Sequence, residues 1–206
     1  MLVDVFQNMN GQFCFKNVDV IVGDGQVFKK CYLAIDEKKI SYIDDKPPLW
    51  LQNNPQNIVD GNGYLVIPGL INAHTHAAMG FFRDLGHQRQ SMIESFLFPA
   101  EKSLYPELIE PLTWSFIYGS LLSGVTCIVD HYYFSKGVGT ALEKIGMRGV
   151  LGETVADIGG AFPGEDSLNR ALEDLESWNF SERIKPAIAP HAADTVSDKL
   201  LKKLSK

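Results

Sequence analysis

From Leu65 onward the chain repeats one pattern: a short apolar, β-branched run, then a longer stretch with apolar positions at helical spacing. Four such units follow in series. The strands are predicted around Leu65-Val66-Ile67 (continuing past a Pro68-Gly69 kink) and at 125–131, 149–154 and 184–191. The helices are predicted at 106–122, 138–145, 167–178 and 199–204. Pro106 suits a first helical position, Gly124 and Gly146 suit positions just past a helix end, and Ser197 suits an N-cap. In the third helix, Leu168, Leu172, Leu175 and Trp178 form the expected buried stripe. Strands joined by helical crossovers run parallel, and a series of them predicts an α/β fold that is the first half of a (β/α)8 TIM-type barrel. A complete barrel takes ~250 residues; this chain has 206 and half the strands, so a truncated barrel is expected.

The stretch before it follows a different grammar. Residues 12–68 read as short strands separated by Gly23-Asp24-Gly25, Asp36–Lys39, Pro47-Pro48 and Asn53-Asn54-Pro55. Such a β module is too small to bury a good core alone. The domain boundary is therefore placed between 65 and 66, giving segments 1–65 and 66–206.

A formal net charge of −6 argues against nucleic acid or an anionic membrane surface as a partner. No apolar run approaches the ~20 residues that span a bilayer, and the first residues lack the basic and apolar regions of a secretory signal. Cys14, Cys31 and Cys127 are odd in number and widely spaced, the pattern of reduced thiols, so a cytoplasmic protein is expected.

In a parallel α/β barrel, chemistry sits at the carboxyl ends of strands. His74 and His76 follow the first strand, Asp130 and His131 the second, Glu153 the third and His191 the fourth. On a strand, residues i and i+2 share a face. His74 and His76 therefore project side by side, a pair that suits one Zn²⁺ or, alternatively, Fe²⁺. The bland alternative is two surface or core histidines.

The lead-in Leu65-Val66-Ile67-Pro68-Gly69 together with His74-Thr75-His76 resembles the first barrel strand of the amidohydrolase superfamily, in its cytosine deaminase-like and chlorohydrolase-like branch, which includes relatives of adenosylhomocysteine deaminases. The resemblance covers essentially the whole chain. It implies that residues 1–65 are the N-terminal piece of a small β-sandwich. It also implies one divalent metal held by His74 and His76, with further ligands and a proton-moving glutamate on strands five and eight, beyond Lys206. The absence of any Cys-x-x-Cys pair removes the other zinc deaminase class.

Further matches are implied by the same resemblance. Pro190-His191-Ala192 is similar to a motif whose histidine contacts the substrate ring, against a bland reading as a hydrogen-bonded strand-end histidine. Phe98-Pro99-Ala100-Glu101 is similar to a segment whose glutamate accepts hydrogen bonds from ribose hydroxyls; the rival role for Glu101 is to complement a helix dipole at a helix start. His131 is a candidate for the pocket wall, Asp130 is expected to be structural, and Arg83 and His87 are expected in solvated loops. Adenosylhomocysteine deaminases carry an arginine facing the substrate carboxylate where this chain has Glu153, which argues against an adenosylhomocysteine-like substrate and for neutral or cationic amino-heterocycles.

The activity implied is hydrolytic deamination of an amino-substituted N-heterocycle by a metal-dependent hydrolase. Hydrolytic dechlorination is the same attack with another leaving group. Cyclic-amide hydrolysis with two metals is disfavoured, because the fourth strand ends in His191 rather than a lysine. The rival from a different class is an inactive fragment, or half of a split enzyme whose other half is a partner chain; a homo-oligomer is left open. No catalytic residue is expected within the chain itself, and substrate binding is assigned to His191, Glu101 and His131.

Overall fold

A computed structural model of the protein describes residues 12–85 and 91–205; His87 lies outside the described residues. The chain divides into two compact units, Met1–Pro68 and Gly69–Lys206.

In the first unit, β1 (Phe13–Ile21), β2 (Val27–Asp36) and β3 (Lys39–Asp44) form an antiparallel meander. The short β4 (Ile58–Asp60) and β5 (Leu65–Val66) both add parallel to β1. The β1–β2 register shifts on either side of Val18, and Asn17 takes the left-handed conformation at φ 58°. Such a bulge re-phases the strand. Cys14 consequently packs with Ala34 and Leu51, whereas Val18 and Val20 pack with Cys31 and Leu33. The sheet thus carries an apolar cluster on each face.

The second unit is a four-stranded parallel sheet in sequential order: β6 (Leu70–Thr75), β7 (Val125–Tyr132), β8 (Arg148–Val155) and β9 (Ile184–Pro190). The connections carry α1 (Phe98–Glu101), α2 (Pro106–Leu122), α3 (Ser135–Ile145) and α4 (Ser167–Glu176), and α5 (Asp198–Leu204) follows β9. Helix α2 buries Ile109, Thr113, Ile117 and Ser120, one stripe at helical spacing. Ile109 and Ile117 join Ile128, Leu142, Leu151 and Ile184 in the main core. Gly146 closes α3 in the left-handed conformation at φ 78°, and the next strand begins two residues later. Ser197 caps α5 as expected, its hydroxyl accepting from the Leu200 N–H.

Two helices differ from expectation. Helix α3 begins at Ser135 rather than 138, because a carboxylate distant in sequence, Glu153, holds its first amides. Helix α4 ends at Glu176, and its buried line is Ser167 and Ala171 with Leu168 partly buried, while Leu172 is 43% exposed. Small side chains let this helix lie close to β8 and β9, which turns the leucine stripe partly out to solvent.

At the edge of the sheet, β6 leaves Leu70 and Ile71 exposed. Cys14, Cys31 and Cys127 are free thiols. Among the described residues no helix is long and apolar enough to cross a membrane.

Candidate metal and ring-binding site

The parallel register of the second unit brings the carboxyl ends of its strands together. Thr75 pairs with Asp130, His131 with Gly152, Tyr132 with Glu153, and Val155 with Pro190. Polar residues separated by tens of positions in sequence thus meet at one rim.

The His-x-His pair behaves as strand alternation requires. Thr75 is buried at 6% exposure, while His74 and His76 sit on the opposite face with ring centroids 5.0 Å apart and nearly perpendicular planes. The end of β7 holds this motif twice. The Asp130 carboxylate accepts from the Ala77 N–H at 2.6 Å, and the His131 carbonyl oxygen binds Nδ1 of His76. Only a protonated Nδ1 can donate to a carbonyl, so Nε2 of His76 is left with its lone pair free, the form a metal ligand needs. The two imidazoles therefore fit a Zn²⁺-type ion as a partial donor set. Among the described residues, no three His, Cys, Asp or Glu side chains gather into a metal-binding group.

A row of imidazoles extends from this pair: His76 to His131 at 5.2 Å between centroids, and His131 to His191 at 5.6 Å. The backbone N–H of His191 donates to the Val155 carbonyl, which fixes the chain just beyond β9. The Thr195 hydroxyl donates to the Ala192 carbonyl at 3.1 Å and lies 2.8 Å from Nδ1 of His191. With its one proton committed, that hydroxyl accepts from Nδ1, and Nε2 of His191 is again the free nitrogen. Nε2 of His131 is buried and, among the described residues, has no hydrogen-bond partner. Burial and the neighbouring His76 push the His131 pKa down to about 4, and burial pushes that of His191 down as well. Both rings are neutral near pH 7.

These side chains wall a cavity of about 260 Å³ that also includes Glu101, Tyr132 and Phe98. Glu101 is 4% exposed and is the last residue of the single-turn helix α1. Desolvation raises its pKa. A five-residue π-helical turn, Ile93–Leu97, leads into α1 and sets Leu97 and Phe98 against the cavity. His191, Glu101 and His131 thus converge with His76 on one space, and His74 stands beside them.

Residues 65–206 match the amidohydrolase family. The chain belongs to this family. It is 34% identical over 190 residues to the 5-methylthioadenosine/S-adenosylhomocysteine deaminase of Halothermothrix orenii, covering 88% of this chain and 43% of that protein. Its fold is similar to that of guanine deaminase from C. acetobutylicum, solved with guanine in the active site (TM-score 0.79, 22% identity, 94% of this chain and 50% of that one). It is also similar to atrazine chlorohydrolase from Arthrobacter aurescens TC1, solved with zinc (TM-score 0.75, 18% identity, 91% and 48%). The chain spans less than half the length of the Halothermothrix protein.

Within this amidohydrolase chain, Glu153 departs from the sequence expectation. It does not stand free at the strand mouth: its oxygens accept from the Phe134 N–H at 2.9 Å and the Ser135 N–H at 2.7 Å. Phe134 precedes α3 in a left-handed conformation and offers no side-chain cap, so the Glu153 carboxylate occupies that place. Its power to repel a substrate anion is reduced accordingly. Arg83 is exposed, as expected of a loop residue, and flanks a shallow groove beside His76. Sequence reasoning missed Tyr132, Tyr133 and Thr154, which line the cavity. They directly follow His131 and Glu153 at strand ends, so extending the strand-end rule by a residue or two would have found them.

Proposed function

We propose that this chain carries the metal-pair and ring-binding portion of a mononuclear, metal-dependent hydrolase that deaminates an amino-substituted N-heterocycle, with a purine base or nucleoside as the leading candidate. In this reading the four parallel strands are the first half of a (β/α)8 barrel, and the first unit is part of a small β-sandwich. The observation that carries it is the convergence of His76, His131, His191 and Glu101 on one cavity, with His76 locked in the tautomer a metal requires.

His74 and His76 would hold the metal, zinc by preference and iron as the alternative. A bound ion of this kind supplies an acidified water near neutral pH. A tetrahedral zinc site takes four groups, so the remaining ligands come from outside the described residues. The neutral His191 presents Nε2 to the ring. Phe98 and Tyr132 give it apolar walls, and Glu101 accepts hydrogen bonds from hydroxyls of a ribose. Relatives and structural neighbours named for methylthioadenosine, adenosylhomocysteine, guanine and atrazine support a small planar heterocycle as substrate.

Titration calorimetry on the purified chain tests this, using Zn²⁺, guanine and 5-methylthioadenosine. Zinc binding is expected to be weak and to disappear in His74→Ala and His76→Ala; purine binding is expected to weaken in His191→Ala. Zinc binding indifferent to both histidines, or no binding of either purine, would refute it. The chain alone is expected to release no ammonia, and turnover by a mass-verified monomer would overturn the two-ligand argument.

A further inference from the structure

The parallel sheet of the second unit has two open edges among the described residues, β6 and β9. Parallel sheets ordinarily bury both faces, and the inner strands do so: Ile128 of β7 and Leu151 of β8 are fully buried. On β6, by contrast, Leu70 is 50% and Ile71 67% exposed. At the other edge, a helix that follows a parallel strand packs back beside the next strand by a right-handed crossover. Helix α5 follows β9, has no next strand among the described residues, and leaves Leu201 42% exposed. One edge lacks apolar cover, and the other carries a helix with an apolar side chain to give.

The backbone groups of the two edges match in the same sense. The His191 amide and the Arg183 carbonyl bond toward β8, so alternation turns the backbone of Pro186, Ile188 and Pro190 to the open side. The two prolines have no N–H, which blunts pairing with a second β9. Their carbonyls remain as acceptors. On β6 the Leu70 amide bonds to the Gly124 carbonyl beside β7, which leaves the Ile71 amide facing outward as a donor.

The metal pair is incomplete by the same measure as the sheet. His74 and His76 give two of the four groups a tetrahedral zinc takes, and no third metal-binding side chain joins them among the described residues. Four strands are half of a closed eight-stranded barrel.

We propose that two copies of this chain close one barrel about a twofold axis, β6 of each pairing with β9 of the other, and share one zinc ion on that axis through His74 and His76 of both. All eight strands then run the same way, and the two β6 strands stand opposite each other. The interior of such a barrel is just wide enough for side chains to fill, which brings the two imidazole pairs together at the rim. Leu201 of each copy lies over Ile71 of the other. The proposal rests on the metal-pair reading above and names the source of its missing ligands.

Sedimentation velocity and calorimetry with Zn²⁺ on the 206-residue chain test it. The expected result is a dimer holding one zinc ion for every two chains. Its dissociation constant should rise about tenfold or more in Ile71→Lys and in Leu201→Lys, both at exposed positions, with the circular dichroism spectrum unchanged. One zinc ion per chain on a monomer would overturn the shared site and leave the metal pair standing. No zinc binding, or binding indifferent to His74→Ala and His76→Ala, would overturn the metal-pair reading and the proposal with it. A dimer unaffected by both lysine variants, or an assembly larger than a dimer, would overturn closure through these two edges.

Discussion

Asp130 offers the sharpest quantitative test of how the site is supported. The residue is 2% exposed; one carboxylate oxygen accepts the Ala77 N–H at 2.6 Å, and the other has no hydrogen-bond partner among the described residues. Burial pushes its pKa from the ordinary 3.8 up to about 7, against the smaller opposing effect of the Ala77 amide. The folded chain then keeps this proton over a range in which the unfolded chain has released it. The resulting stability is fully present below about pH 4 and is lost as pH rises through about 7. At about 1.4 kcal/mol per tenfold difference in proton affinity, the loss is about 4 kcal/mol. Asp130→Asn retains the volume and a carbonyl acceptor for Ala77 but cannot ionise. Urea unfolding from about pH 4 to pH 8, followed by Trp114 and Trp178 fluorescence in a Trp50→Phe background, reads this directly. The stability of the Asn variant relative to the parent should grow by about 4 kcal/mol across that range. Parallel pH profiles for the two proteins, or a parent that gains stability with rising pH relative to the variant, would refute the reasoning.

Three further outcomes follow from packing and capping. Ile128 is fully buried in the main core, so Ile128→Ala should cost about 2–5 kcal/mol, measured by the same urea titration. Ser197→Ala removes the hydroxyl that accepts from the Leu200 N–H and should cost about 1 kcal/mol, with faster amide exchange confined to the first turn of α5. Glu153→Ala exposes the first amides of α3 and should cost about 1–3 kcal/mol, with amide exchange at Phe134 and Ser135 accelerating first.

Much of the fold is legible in the sequence because it depends on local rules. The period of apolar residues separates strands from helices, and Pro106, Gly124, Gly146 and Ser197 mark ends that the structure places within a residue or two of prediction. Where the prediction drifted, a distant residue decided. The start of α3 depends on Glu153, many positions later, and the buried face of α4 depends on how closely β8 and β9 approach it. Neither partner lies within the window that periodicity inspects.

The site divides along the same line. The sequence by itself determined that His74 and His76 share a face, because a strand alternates every residue, and that the polar strand ends of parallel units gather at one rim. Only the tertiary structure decided what those residues are free to do. The His131 carbonyl sets the tautomer of His76, Thr195 sets that of His191, and burial moves the proton affinities of Asp130 and Glu101. Glu153, exposed at the mouth by sequence position, is turned instead to the amides of α3. Protonation and hydrogen-bond allegiance depend on which groups lie within about 3 Å and on how much water remains, and both are fixed by contacts between segments that the order of residues leaves far apart.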